Sequence, residues 1–131
     1  MRLFYGVIMQ LIGSVPSPYV RRIRIWAQEN DCKLELVSLD IFSDQDRPTM
    51  ASKNPARKIP ILVDGDLTLS DSNSILRYLL EKTGQPKLTW PQEHLLTTIN
   101  ACNDSLVEMV LCKRSGFDTK SDKLFFNLQN E

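Results

Sequence analysis

Apolar positions come in short runs along the first part of the chain and in one long helical stripe along the last part. "MQLIG", Met9 to Gly13, is a short apolar run closed by glycine and predicts a buried strand. From Ser17 to about Asn30 the spacing turns helical. Val20, Ile23 and Ala27 share a face there, while Arg21, Arg22, Arg24 and Gln28 can reach water. "KLELVSLDIF" alternates in part and predicts the next strand. "SDQDRPTMASKNPARK" is polar and holds two prolines, so it reads as loop with room for a short helix. "IPILVDGDLTL" predicts a hairpin, with two apolar runs joined around Asp64–Gly65, a pair suited to positive φ. "SDSNSILRYLLEKTG" predicts a helix capped by Asp71 or Ser72 and ended by Gly84, with Ile75, Leu76, Leu79 and Leu80 along one side.

The order is β-α-β, a variable link, then β-β-α. A right-handed first crossover makes its two strands parallel, and the hairpin adds antiparallel ones. The expectation is a mixed sheet with helices on its faces. After Gly84 the character changes. "QPKLTWPQ" is linker running into a helix start, where Thr89 and Gln92 have capping-box spacing and Pro91 suits a first turn. Leu95, Ile99, Cys102, Leu106, Met109 and Val110 then form an apolar stripe up to about Lys113. "SGFDT" breaks it, and "SDKLFFNLQNE" begins another helix with Leu124, Phe125 and Leu128. The expected division is an α/β domain over residues 1–84, with 1–8 an extension, a linker over 85–91, and the beginning of an all-α domain over 92–131.

Composition narrows the function classes. The 131 residues carry no net formal charge, which gives no reason to expect nucleic acid or an anionic membrane as partner. Cys32, Cys102 and Cys112 are odd in number and lack C-x-x-C spacing, and with the single His94 they make no convincing metal set. Reduced thiols in the cytoplasm are the simplest reading. The start "MRLFYGVIMQLIGS" is apolar like a secretory signal. It lacks a strongly basic first region and an A-x-A-like site, so it reads as an extension before a strand, with Met9 an alternative start. There is no internal repeat and no apolar run of membrane-spanning length.

Three places combine polar groups with strand or helix ends. Ser17 precedes Pro18 at a helix start. A plain N-cap is the commoner role for such a serine, yet a cap also sits at the positive helix end, where an anion binds. Pro60 follows Ile59 at a strand entrance, a normal place for a residue that cannot donate to a ladder. Pattern alone favours a trans bond there, with cis the minority state. In "LSDSNSI", Ser72 and the first N–H groups of a helix suit a carboxylate, and Asp71 suits an ammonium. Lys58 can meet another carboxylate. An extended ligand with a central thiol, an amino acid group at one end and a carboxylate at the other matches all of these places, and glutathione is such a ligand.

These residues carry a resemblance. "SPYVRRIRI", "NPARKIPIL" and "LSDSNSILRYL", in this order, resemble motifs of the glutathione S-transferase family, in particular its bacterial cytosolic members. The resemblance spans about Met9 to Thr83 and implies a thioredoxin-like N-terminal domain followed by an all-helical one. It implies a cis-proline at Pro60, contacts from Ile59 to the cysteinyl group, γ-glutamyl recognition by Asp71 and Ser72, and Lys58 near the glycine carboxylate. Ser17 takes the place of the catalytic serine or cysteine, with Ser14 the weaker candidate because it falls before the helix. Glutathione is then a co-substrate, with no metal, and conjugation to a small electrophile or peroxidase-type chemistry is the expected activity, with the second-substrate pocket expected to be incomplete in this short chain. Two features depart from the family pattern. Arg57 stands where the N-P-x-G-K segment has glycine, and only the first helix and part of a second of the helical domain fall within the sequence. The apolar stripe then calls for cover, which a homodimer can supply. The alternative is a non-catalytic binding or regulatory module of the same fold. A thiol–disulfide enzyme is disfavoured, since "SPYV" offers no cysteine where exchange needs two.

Overall fold

The computed structural model describes residues 8–117. The chain divides into two compact units, one running to Lys87 and the other starting at Leu88. In the first unit β1 (Met9–Gly13), β2 (Leu34–Ser38), β3 (Ile61–Asp64) and β4 (Leu67–Ser70) form one sheet in the order β2-β1-β3-β4. β1 and β2 are parallel and are joined through α1 (Pro18–Glu29). β3 runs antiparallel to both β1 and β4. α2 (Arg47–Lys53) precedes β3, and α3 (Ser72–Lys82) follows β4. The expected mixed α/β architecture is present, and the long helix α4 (Trp90–Arg114) opens the second unit.

Period-two alternation sorts the apolar residues onto two faces. Met9 and Leu11 of β1 and Leu62 of β3 pack with Val20 and Ile23 of α1 and with Ile75 and Leu79 of α3. Ile12 and Ile61 point the other way and pack with Leu39 and with Met50 of α2. The unit is therefore three layers, with α1 and α3 on one face and α2 on the other. Leu11, Val20, Ile23, Ile61, Leu62, Ile75 and Leu79 are all but completely buried. Each such side chain contributes about 1.5–3 kcal/mol of transfer free energy. Gly13 allows α1 to lie close on the sheet, because a Cβ built there would stand 2.4 Å from Val20 Cγ2.

Some boundaries differ from the sequence pattern for local reasons. β2 stops at Ser38 instead of running on to Phe42. The Asp40 carboxylate accepts the Phe42 N–H at 2.9 Å, and the Asp40 N–H goes to the Asp46 carboxylate at 2.8 Å. These turn bonds take backbone groups that a longer strand would use. The hairpin turn consists of Gly65 and Asp66, one residue later than the expected pair, since Asp64 pairs with Leu67 and Gly65 alone takes positive φ, 59°. The loop before β3 does hold a short helix, α2. In the second unit, Thr89 and Gln92 make both bonds of the capping box. Leu95, Ile99, Leu106 and Val110 of the stripe are exposed, and α4 buries none of its residues. Leu124, Phe125 and Leu128, and the extension before Ile8, lie outside the described residues.

The end of β3 is clipped to α3. The Asp64 carboxylate accepts from the Tyr78 hydroxyl at 2.6 Å and from the Lys82 ammonium, which also lies over the Tyr78 ring. Hydrogen bonding to Lys82, then to Tyr78, holds the Asp64 carboxyl below its ordinary range. A depressed carboxyl contributes stability that is fully present above its unfolded pKa and is lost as pH falls through its folded one. Denaturation curves of wild type should therefore lose stability from about pH 5 downward, and Asp64→Asn should flatten that fall. An identical slope in the variant would remove the clip from this role. Gly13→Ala should cost about 1–3 kcal/mol in the same measurement, through overpacking against Val20. Val20→Ala in the same chain should recover part of that loss, and two fully additive costs would refute the clash.

Candidate functional site

Register brings the three sequence segments to one end of the sheet. Ile12 pairs with Ile61, and Ile61 pairs with Ser70. The residues that follow Ile12, precede Ile61 and follow Ser70 therefore leave the sheet side by side. They are Gly13 to Ser17, Ile59–Pro60, and Asp71–Ser72. Because β1 and β4 point the same way, α1 and α3 both begin at this end. Neither helix has an acidic residue in its first turn.

Ser17 is the N-cap of α1, with Pro18 as its first residue. Its Oγ accepts the Val20 N–H at 3.3 Å, which leaves the hydroxyl proton available to donate. The Ser17 N–H bonds the carbonyl of Ser14 at 3.2 Å, so Ser14 shapes the turn that delivers Ser17. Both serines are half-buried. Ser17 thus fills the structural role of a cap and presents a donor at a positive helix end.

The segment before β3 is organised by Asn54, which is 4% exposed. Its side chain donates to the Lys58 carbonyl at 2.9 Å and accepts the Ala56 N–H at 3.0 Å, and its own carbonyl accepts the Arg57 N–H at 2.9 Å. Arg57 sits at φ 55°, the left-handed region that favours glycine. Glycine takes this conformation without a Cβ penalty, and here an arginine takes it. Pro60 is fully buried, Ile59 packs against both cores, and the bond between them is cis, against the trans preference of the pattern. The Lys58 side chain is exposed.

At the third segment, Asp71 is the N-cap of α3 and sits at φ 73°. Its Oδ2 accepts from the Ser74 N–H at 3.0 Å and from the Ser74 hydroxyl at 3.1 Å. Strained non-glycine backbone of this kind gathers at functional sites. Ser72, the first residue of α3, is 2% exposed, and its Oγ accepts from the Arg22 guanidinium. The same guanidinium nitrogen donates to Asn73 Oδ1. Arg22 is thus half-buried and bridges α1 to α3, which corrects the reading of its cluster as a solvated helix face. Sequence pattern offers one weak cue, a basic residue next to the apolar position Ile23. Asn54 was missed as well, although its Asn-Pro pair is a turn signal.

The described residues hold no group of three or more His, Cys, Asp or Glu able to bind a metal. Burial pushes the Cys32 thiol up, with the Lys82 charge partly offsetting it, so Cys32 is no activated nucleophile. The hollow beside α2 (Ile41, Met50, Ala51, Arg57) and the groove between α1 and β2 (Ile25, Cys32, Leu34, Leu36) include none of the candidate residues.

A family model described as "Glutathione S-transferase, N-terminal domain" matches residues 11–87. The chain belongs to the glutathione S-transferase family. Human glutathione S-transferase theta-1 is 39% identical over 86 residues, which cover 65% of this chain and 36% of that protein. Arabidopsis thaliana glutathione S-transferase F13 is 37% identical over 75 residues, covering 56% of this chain and 34% of that protein. The chain thus spans about a third of the length of these curated relatives. Among solved structures, a glutathione S-transferase from Methylobacterium radiotolerans in complex with glutathione sulfonate superposes with a TM-score of 0.79 at 22% identity, over 95% of this chain and 61% of that one. One from Methylobacillus flagellatus with glutathione bound has a TM-score of 0.75 at 26% identity, over 92% and 62%. The thioredoxin-like fold of the first unit, with the start of a helical domain after it, agrees with these neighbours.

The left-handed backbone at Arg57 yields a test. Arg57→Gly should raise stability by about 1 kcal/mol in urea denaturation, because glycine takes this conformation without the steric cost of a Cβ. A loss of stability would mean that contacts of the Arg57 side chain outweigh the relief.

Proposed function

We propose that the first unit binds glutathione and, through Ser17, holds its thiol as the thiolate for transfer to an electrophile. The observation that carries this reading is the gathering of two helix N-termini, those of α1 and α3, at one end of the sheet on either side of Ile59–Pro60. Each is a pole for an anion. The α1 pole has a neutral cap with a hydroxyl proton to give, which suits a thiolate. The α3 pole joins Ser72 to the Asp71 carboxylate, which suits the ammonium and carboxylate of a γ-glutamyl group. Ile59 would meet the cysteinyl backbone and Lys58 the glycine carboxylate. Bound glutathione and glutathione sulfonate in the bacterial neighbours support the ligand.

The energetics suffice. A free thiol has a pKa of about 8.5 and is mostly protonated at neutral pH. Lowering it by about two units takes about 2.7 kcal/mol of differential interaction. A charge-assisted hydrogen bond supplies about 1.5–3 kcal/mol, and a helix end adds about 0.3–1 kcal/mol. Ser17 acts as donor and need not ionise. The thiolate sulfur then attacks the electrophilic carbon, a C–S bond forms, and the leaving group departs with its electron pair. The free thiols of Cys32, Cys102 and Cys112 fit a reducing compartment, the cytoplasm. The reading includes a homodimer in which a second copy covers the exposed stripe of α4.

Titration calorimetry with millimolar glutathione should register binding, and conjugation of chlorodinitrobenzene should release chloride. Ser17→Ala should slow conjugation about tenfold or more at neutral pH and move the pH–rate profile upward by about one to two units. It should also lower stability by about 0.5–2 kcal/mol through loss of the cap. Full activity with an unchanged profile would reduce Ser17 to a cap, and binding without conjugation by wild type would leave a binding module.

A further inference from the structure

We infer that Arg22 is a positioning residue that turns the start of α3 into a pair of hydrogen-bond donors aimed at the α-carboxylate of the γ-glutamyl group, an inference that rests on the glutathione reading above. Arg22 lies on α1, five residues after Ser17, and its guanidinium meets Ser72 and Asn73 in the first turn of α3. A guanidinium has donors only. Ser72 Oγ must therefore accept from it, and the hydroxyl proton of Ser72 is left to donate elsewhere. By the same logic the atom of Asn73 that faces Arg22 is its oxygen, as the structure has it, and the side-chain NH2 is turned away as a donor.

Without Arg22, a serine hydroxyl at a helix start can rotate to donate or accept, and an asparagine amide can flip. Half of those states would set a lone pair against a carboxylate. With Arg22, both groups are locked in the polarity an anion needs, next to the N–H groups of α3. The lock is buried, since Ser72 is 2% exposed and Asn73 and Arg22 are half-buried, so water competes little for the bonds. One helix thus serves both poles of the ligand. Its cap faces the thiol, and its second turn sets the donors for the carboxylate end.

The test is a double-mutant cycle read by titration calorimetry on the full chain. With glutathione, Arg22→Met is expected to bind about tenfold more weakly than wild type. In a background carrying both Ser72→Ala and Asn73→Ala the same change is expected to cost less than about twofold, because both groups it orients are gone. Arg22→Lys keeps a cation but not the rigid planar guanidinium and should fall between. The analogue with γ-aminobutyryl in place of γ-glutamyl lacks only the α-carboxylate. It should bind Arg22→Met and wild type alike, whereas a merely structural arginine would cost both ligands equally. If thermal melting shows Arg22→Met unfolded, Arg22→Lys carries the same two comparisons. Equal costs in both backgrounds, or equal losses for both ligands, overturn the inference alone while glutathione binding by wild type stands. No heat from wild type with glutathione overturns the proposed function and this inference with it.

Discussion

The candidate site depends on the register Ile12–Ile61–Ser70. A slip of one residue along β3 would turn Ile61 toward α1 and Leu62 toward α2, reversing both apolar sets at once. Both faces of the sheet are covered, so such a slip would bury and expose the wrong side chains on each. That double penalty holds Pro60 between the exit of β1 and the exit of β4. The chemistry at the end of the sheet therefore rests on hydrophobic packing well inside it. Gly13 belongs to the same constraint. It is the last residue of β1, and its bare Cα is what lets Val20, and with it the start of α1, come down onto the sheet.

Strand direction then decides where the charges go. β3 is reversed relative to β1, and β4 is reversed again, so β1 and β4 run the same way and the helices that follow them start together. Two partial positive charges are gathered that would repel if nothing negative lay near them. The two starts are finished differently. α1 has a neutral serine cap, which leaves its end to an anion from outside. α3 has an aspartate cap, already bonded to Ser74, which balances part of its end within the protein. A ligand fits this asymmetry if it carries a bare anion at one pole and a zwitterion at the other. A thiolate peptide with a γ-linked amino acid group has that distribution, and a simple dianion does not.

Much of this could be read along the chain, and what could not has a common cause. The run Met9–Gly13, the Ser17–Pro18 start, the Asp71 cap and the Thr89–Gln92 box are signals contained in a few consecutive residues, and each element forms where its signal stands. The failures involve partners brought together by folding, or competition between backbone and side chain. Arg22 looked like one of three solvated arginines because its partners lie about fifty residues further on. β2 ended early because Asp40 took backbone groups that the strand pattern assigned to the sheet. Asn54 carries no signal beyond its Asn-Pro pair in a polar loop, and its two side-chain bonds across that loop follow only from the path of residues 54–58. The residues that gather at this end of the sheet were legible as types. Their polarity, meaning which of them donates and which accepts, was not.

Polarity also bears on where the reacting sulfur comes from. Cys32 is held in the apolar layer under α1, and burial raises its thiol, which disfavours the anion that would attack. The end of the sheet where α1 and α3 begin offers the reverse, a hydroxyl donor and a helix terminus with no acidic residue in its first turn. Within the first unit, then, the surroundings suited to a sulfur anion and the thiol the chain supplies are in different places. Under the proposed function the chain keeps its own thiol neutral and the sulfur arrives on the ligand. This is the physical distinction between a domain that activates a bound thiol and one that exchanges its own.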